Sequence, residues 1–165
     1  MNIQLRPASP TIYDQFLIWA EDPELTDFFR HRGPSWSWAS VDQLAIHLAN
    51  AFAIYEDNVL VGVVQLSGLD FISRNCSIGM LIDLKLTAKR FEISRIVYEQ
   101  ILDYCFETLQ MHKVNMKILS TRTKLVQRLV DDGWTPEGHL RQSCFVNNEP
   151  QDEILLRLLK SERSK

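Results

Sequence analysis

Three cationic side chains follow a short apolar segment near the middle of the chain. Residues 76–82 (CSIGMLI) have the length of a buried strand, and residues 93–109 carry apolar side chains at helical spacing. Lys89, Arg90 and Arg95 lie at the junction between them. A strand that leads directly into a helix points free backbone N–H groups and the positive end of the helix dipole at one spot, which suits an anion. The pattern predicts a phosphate-binding junction, with a solvated helix start as the alternative.

Side chains that could transfer protons occur beside this junction and in the last third of the chain. Asp83, Glu137 and His139 are the candidate acid and base groups, because carboxylates and imidazoles do most proton transfer in enzymes. Each also has a structural explanation: Asp83 as the start of a loop, Glu137 in a turn and His139 on a strand surface. Tyr55 or Tyr104 could supply a phenol, although both occupy core-like positions.

The composition of this 165-residue chain argues against several classes of function. A net charge of −3 offers no general basic surface, so we expect no nucleic acid partner. The cysteines at 76, 105 and 144 have neither zinc spacing nor an even number, so we expect no metal and no disulfide framework. No apolar segment reaches the ~20 residues of a membrane span. The first residues lack the apolar core of a signal peptide, and we therefore expect a cytoplasmic protein with no membrane partner.

Hydrophobic periodicity predicts one α/β domain over residues 1–160, with a tail at 161–165. A helix between strands 76–82 and 113–118 makes those two strands parallel. Glu56, Asp57 and Asn58 predict a hairpin turn. The other expected strands are 2–6, 52–55, 59–66, 139–146 and 153–159, and helices are expected from Pro10, from Ser40, over 93–109, and from Thr121 or Thr123 to Gly133.

Four segments in this order resemble the GNAT superfamily of acyl-CoA-dependent N-acetyltransferases. The similarity favours the branch that contains the ribosomal-protein and amino-sugar acetyltransferases. The segments are 52–62 (FAIYEDNVLVG), 77–83 (SIGMLID), 103–114 (DYCFETLQMHKV) and 133–141 (GWTPEGHLR). The resemblance covers nearly the whole chain. It implies the GNAT fold, a mixed and mostly antiparallel sheet of about seven strands with helices on both faces.

The resemblance also implies an activity, which is transfer of an acetyl group from acetyl-CoA to a primary amine. The acceptor would be an amino sugar, a protein N-terminus or a small amine. The strand Gly79–Ile82 would bind the pantetheine arm through its backbone, and the loop Lys89–Ser94 would hold the pyrophosphate. The cofactor-binding residues predicted in this way, together with two further cations, are Met80, Leu81, Ile82, Lys89, Arg90, Phe91, Glu92, Ile93, Ser94, Arg95 and Arg122.

In proteins of this fold the region of the first two helices faces the acceptor. Phe28, Arg30, Trp36 and Trp38 are therefore the candidate acceptor-binding residues. A hydrophobic lid or a homodimer contact accounts for the same aromatic side chains equally well.

Two positions depart from the family pattern. Glu92 stands where the pyrophosphate loop has a glycine, which normally lets the phosphates approach the backbone. Leu129 stands where the family has the tyrosine that protonates the departing thiolate. The departures leave a second hypothesis open, a GNAT-fold binding or assembly module without catalysis.

Overall fold

A computed structural model describes residues 1–25 and 48–163 of the protein. These residues contain a seven-stranded sheet in the order β1-β2-β3-β4-β5-β7-β6. The pair β4–β5 is parallel and the other neighbouring pairs are antiparallel, so the predicted mixed sheet is confirmed. The strands are β1 (Ile3–Pro7), β2 (Ala51–Glu56), β3 (Val59–Asp70), β4 (Asn75–Ile82), β5 (Lys113–Leu119), β6 (Thr135–Val146) and β7 (Glu149–Leu159).

Three α-helices connect strands in the described part of the chain. They are α1 (Tyr13–Glu21), α2 (Arg90–Asp103) and α3 (Thr123–Asp131), and α2 continues into a π-helical turn over Tyr104–Thr108. Short 3₁₀ turns lie at Pro10–Ile12, Pro23–Leu25 and Lys160–Glu162. The expected helix from Ser40 and the expected acceptor residues Phe28, Arg30, Trp36 and Trp38 lie outside the described residues. None of the described helices has the length and apolar character of a membrane span.

The two faces of the sheet have separate hydrophobic cores because successive strand side chains point to opposite faces. On one face, Phe16 and Trp19 of α1 pack with Val63 of β3. On the other face, Val97 and the rest of the apolar stripe of α2 pack with Val64, the next residue of β3. The alternation fixes which side of the sheet each helix covers.

β3 is joined to β2 by a tight turn and approaches β4 closely at Gly62. Its hairpin with β2 turns at Asp57 and Asn58, whose φ angles of 48° and 70° suit residues that tolerate the left-handed region, so the predicted turn is confirmed. Gly62 faces β4, where an added Cβ would lie 2.2 Å from the Leu81 carbonyl oxygen. A glycine is therefore required for this approach of β3 to the end of β4.

The last hairpin is longer than the sequence predicts. β6 begins at Thr135 and not at His139, because the residues from 135 to 140 already pair with β7. Two irregularities in the register, between Pro136 and Gly138 and between Leu140 and Cys144, interrupt the alternation that marks a strand in sequence. The periodic pattern therefore detected only the last eight of the twelve residues of β6.

Candidate active site

The neighbouring strands β4 and β5 separate along their length. They pair only from Asn75 to Ser77 of β4 and from Lys113 to Asn115 of β5 among the described residues. Beyond this point β4 continues to Ile82 and stays paired with β3 on its other edge. The edge of β4 that faces β5 therefore presents backbone N–H and C=O groups that no described strand pairs, and these groups need another partner.

A cavity of about 1340 Å³ opens between the separated strands and the helices α2 and α3. Most of the predicted cofactor-binding residues line it. Those lining it are Met80, Leu81, Ile82, Arg90, Phe91, Glu92, Ser94, Arg95 and Arg122. Ile93 instead lies in the core with 0% exposure, and the Lys89 ammonium points to Glu56, with Lys89 Nζ 3.4 Å from Glu56 Oε1. The rim is thus cationic through arginine and not through Lys89.

The first turn of α2 is exposed to this cavity. Lys89 is the N-cap residue, and the Ile93 N–H donates the 3.0 Å bond to its carbonyl that starts the helix. The first N–H groups of an α-helix have no partner within the helix and carry its positive partial charge. Arg90 adds a full positive charge at the same end, while the exposed side chain of Glu92 adds a negative one.

Arg128 of α3 joins the two helices that border the cavity. One guanidinium nitrogen, Nη2, lies 2.9 Å from Ser94 Oγ and 3.4 Å from the Phe91 carbonyl oxygen. Its guanidinium also stacks on the Phe91 ring at 4.9 Å from the centroid. Sequence reasoning missed Arg128, although its spacing of three residues from Leu125 marks it as bordering the apolar stripe of α3. That spacing does not indicate that Arg128 contacts α2.

The three predicted acid or base groups are not brought together. Asp83 lines the cavity, where it is 6% exposed and its Oδ2 accepts a 2.8 Å hydrogen bond from the Trp19 indole. The other two lie outside the cavity: Glu137 pairs with Lys113 at 2.7 Å, and His139 pairs with Asp152 at 2.7 Å.

A second residue that sequence reasoning missed is Tyr98 of α2. It is half-buried and lines the cavity, with its hydroxyl 3.7 Å from the sulfur of Met116 on β5. Burial raises the pKa of Tyr98 to about 12, although the positive charges of Arg128 and Arg90 oppose the shift. Tyr98 is thus a neutral hydrogen-bond donor at neutral pH.

The candidate phenols Tyr55 and Tyr104 do not line the cavity, and neither does Leu129, which stands where the family has a tyrosine. The Tyr55 ring lies under Arg6 and Tyr104 packs edge-on against Phe52. Leu129 is 1% exposed and belongs to the core under α2. Within residues 1–25 and 48–163, no group of three or more His, Cys, Asp or Glu side chains has the proximity of a metal site.

Comparison with known proteins gives relatives across most of the chain. No protein-family model matches. The spermidine N(1)-acetyltransferase of Vibrio cholerae is 29% identical over 102 residues, which are 62% of this chain and 58% of that enzyme. The putative ribosomal N-acetyltransferase YdaF of Bacillus subtilis is 29% identical over 154 residues, which are 90% of this chain and 78% of that protein.

Solved structures match almost the entire chain. The spermidine N-acetyltransferase of Vibrio cholerae in complex with CoA and spermine superposes with a TM-score of 0.83 at 23% identity, over 97% of this chain and 96% of that one. A probable acetyltransferase gives a TM-score of 0.80 at 22% identity, over 97% of this chain and 94% of that one.

The chain resembles GNAT N-acetyltransferases in sequence and shares their fold. The separated strands β4 and β5, the crossover helix α2 and the closing hairpin are therefore the GNAT fold, as the sequence predicts. Glu92 and Leu129 stand at the two positions where this sequence departs from the pattern of the GNAT proteins that it resembles.

Proposed function

We propose that this protein is an N-acetyltransferase that uses acetyl-CoA as co-substrate and a primary amine as acceptor. The observation that carries the proposal is the gap between β4 and β5, which opens beside the N-terminus of α2 and is rimmed by Arg90, Arg122 and Arg128. A long ligand with phosphates at one end and a hydrogen-bonding arm at the other fits such a gap. The resemblance to acetyltransferases, by sequence and by fold, supports the same conclusion.

Each part of acetyl-CoA has a matching surface in the cavity. The unpaired edge of residues 78–82 can accept and donate hydrogen bonds to the amide groups of the pantetheine arm, as an added strand would. Arg90 and the N–H groups of the first turn of α2 can hold the pyrophosphate. Phe91, which is 69% exposed, offers a flat face beside Arg128 on the rim.

The reaction would be direct attack of the neutral amine nitrogen on the thioester carbonyl carbon. Backbone N–H groups at the end of Gly79–Ile82 that lies nearer the start of the gap would stabilise the negative charge that develops on the carbonyl oxygen. Asp83 is the one predicted acid or base group that lines the cavity. Its carboxylate already accepts two hydrogen bonds, from the Trp19 indole and from the Lys85 N–H, each of 2.8 Å. We therefore propose that solvent removes the proton from the amine.

The acceptor is proposed to be a small aliphatic amine that carries positive charge, of the polyamine class. Asp22 and Glu24 follow α1 on the cavity wall and give that side negative charge, partly offset by Lys85 at 2.6 Å from Asp22. A polyamine with several positive charges is attracted to such a wall more strongly than an amino sugar, which carries at most one. The Vibrio relative is named for spermidine, which agrees with this choice.

The decisive test measures co-substrate binding and acetyl transfer separately. Isothermal titration with CoA should give saturable binding, and CoA at about 100 times Kd should add about 2.7 kcal/mol to the free energy of unfolding. Thiol release from acetyl-CoA should then be faster with spermidine than with glucosamine or a peptide N-terminus. Absence of CoA binding at millimolar concentration would remove the transferase proposal and favour the non-catalytic module.

A charge variant tests the acceptor class. Glu24→Gln should raise the KM for spermidine and leave the KM for acetyl-CoA unchanged, because the proposal assigns Glu24 to the acceptor and the arginines of the same cavity to the co-substrate. Asp14→Asn removes the same charge from the exposed face of α1 and serves as the matched control. Equal effects of the two variants would argue against a specific acceptor role for Glu24.

A further inference from the structure

The Tyr98 hydroxyl lies at the point where β4 and β5 begin to separate. The hydroxyl lies 3.7 Å from the sulfur of Met116. Met116 directly follows Asn115, which is the last residue of β5 that pairs with β4. Tyr98 and Met116 both line the cavity. In the described part of the chain, the thioether of Met116 is the one hydrogen-bond partner of this phenol. A thioether is a weak acceptor, so the hydroxyl can turn to a stronger one that enters the cavity.

The position of Tyr98 along α2 agrees with the length of the proposed co-substrate. Tyr98 follows Arg90 by eight residues, which corresponds to about 12 Å along the helix axis at 1.5 Å per residue. The distance is shorter than an extended pantetheine arm. A thioester whose pyrophosphate is held at the start of α2 can therefore bring its sulfur to the vertex of the gap, beside Tyr98.

We propose that the Tyr98 hydroxyl donates a hydrogen bond to the sulfur of the bound thioester and stabilises the negative charge that forms there when the carbon–sulfur bond breaks. The proposal rests on the proposed transferase function and adds a catalytic residue to it. The Tyr98 hydroxyl would supply the leaving thiolate with a hydrogen-bond donor, which Leu129 cannot do because it has no hydroxyl.

The step balances without net proton transfer from Tyr98. The amine nitrogen forms a bond to the carbonyl carbon, the carbon–sulfur bond breaks, and its electron pair stays on sulfur as a thiolate. The proton of the amine goes to solvent, and solvent later protonates the thiolate. Tyr98 keeps its proton throughout, which agrees with the raised pKa of the phenol, and it acts by hydrogen bonding to the charged form of sulfur.

Three charged side chains also lie near Tyr98. Arg90 and Arg128 lie near enough to the phenol to affect its ionisation, and Asp132 at the end of α3 opposes them. Their effect does not depend on the hydroxyl, so it is common to the wild type and to a phenylalanine variant.

The test compares the acidity of the CoA thiol bound to wild type and to Tyr98→Phe. The ultraviolet absorbance of the thiolate, followed against pH with protein saturated with CoA, gives this acidity without knowledge of the acceptor. We expect the acid dissociation constant of the bound thiol to be about 10-fold larger in the wild type, which is the effect of one hydrogen bond to a charged group. The kcat of Tyr98→Phe should fall about 10- to 100-fold at unchanged KM for acetyl-CoA.

Two further variants separate catalysis from structure. Met116→Leu removes the present partner of the hydroxyl, and it measures what this contact contributes to the free energy of unfolding. Tyr104→Phe removes a phenol that packs on Phe52 away from the cavity, and it should change neither the acidity of the bound thiol nor kcat. Affinity for desulfo-CoA, which lacks the sulfur, should be equal in wild type and Tyr98→Phe.

The possible results point to different conclusions. If wild type binds CoA and Tyr98→Phe has the same thiol acidity, the role of Tyr98 is overturned while the proposed function stands. The role of Tyr98 would also be overturned if Tyr98→Phe and Met116→Leu lowered the free energy of unfolding equally and Tyr98→Phe left the thiol acidity unchanged. The hydroxyl would then have a packing role. If the wild type binds no CoA, both the proposed function and this role fail.

Discussion

The indole nitrogen of Trp19 donates a 2.8 Å hydrogen bond to Oδ2 of Asp83, and this buried contact joins α1 to the end of β4. The other carboxylate oxygen accepts the Lys85 N–H at 2.8 Å, and the Asp83 carbonyl accepts the Leu86 and Thr87 N–H groups. Asp83 therefore shapes the loop that leads from β4 to the start of α2. The contact holds α1 against this loop at the wall of the cavity.

The first prediction concerns this contact. Asp83→Asn should lower the free energy of unfolding by about 1–3 kcal/mol, because the buried indole and loop donors lose a charged acceptor. Trp19→Phe, which removes the donor, should lower it as well. Chemical denaturation measures both changes. A kcat about 100-fold lower in Asp83→Asn with an unchanged free energy of unfolding would instead assign proton transfer to Asp83.

The second prediction concerns the bridge between the helices. Arg128→Ala should weaken CoA binding about 10- to 100-fold, because a guanidinium that borders phosphate sites contributes roughly one charge-assisted hydrogen bond. Isothermal titration at two salt concentrations measures the effect and its electrostatic part. The matched control is Arg6→Ala, which removes a guanidinium stacked on Tyr55 at 4.3 Å from the ring, outside the cavity. A loss of affinity in the control as large as that in Arg128→Ala would contradict a local role.

The third prediction concerns Glu92 in the first turn of α2. Glu92→Gln should tighten CoA binding about 5-fold, the effect of removing about 1 kcal/mol of repulsion between charges 4 Å apart in water. It should also cost about 0.3–1 kcal/mol of helix stability, since a carboxylate near a helix N-terminus is favourable. Glu99→Gln on the same helix, where the side chain pairs with Arg163 at 2.8 Å, is the control. Weaker CoA binding in Glu92→Gln would mean that the carboxylate assists the ligand.

The fourth prediction concerns acid stability at the last hairpin. Hydrogen bonds from the Gln142 N–H and from His139 hold the pKa of Asp152 below its usual range. A carboxyl with a lowered folded-state pKa adds stability above its unfolded pKa of about 3.9, and this stability is lost as the pH falls through the folded value. Asp152→Asn should therefore lower stability near neutral pH and flatten its acid dependence below about pH 4. An acid unfolding curve that matches the wild type would contradict the linkage.

The chain order alone determined the scaffold of the site. An apolar strand followed by cations and by a helical stripe identifies the β4–α2 junction, because backbone geometry at such a junction is local. Asp57 and Asn58 mark the hairpin for the same reason, since their preference for left-handed φ acts within the turn. The resemblance to GNAT proteins rested on segments of this local kind, and the fold agrees with it.

The tertiary structure decided which side chains reach the cavity. Arg128 meets Phe91 and Ser94 only because α3 packs beside α2, and Tyr98 meets Met116 only because β4 and β5 separate at that point. Lys89, predicted as a phosphate ligand, turns to Glu56, and Glu137 turns to Lys113. Periodicity reports the face on which a residue lies, but the partner on that face depends on how elements distant in sequence pack, and that is a property of the whole fold.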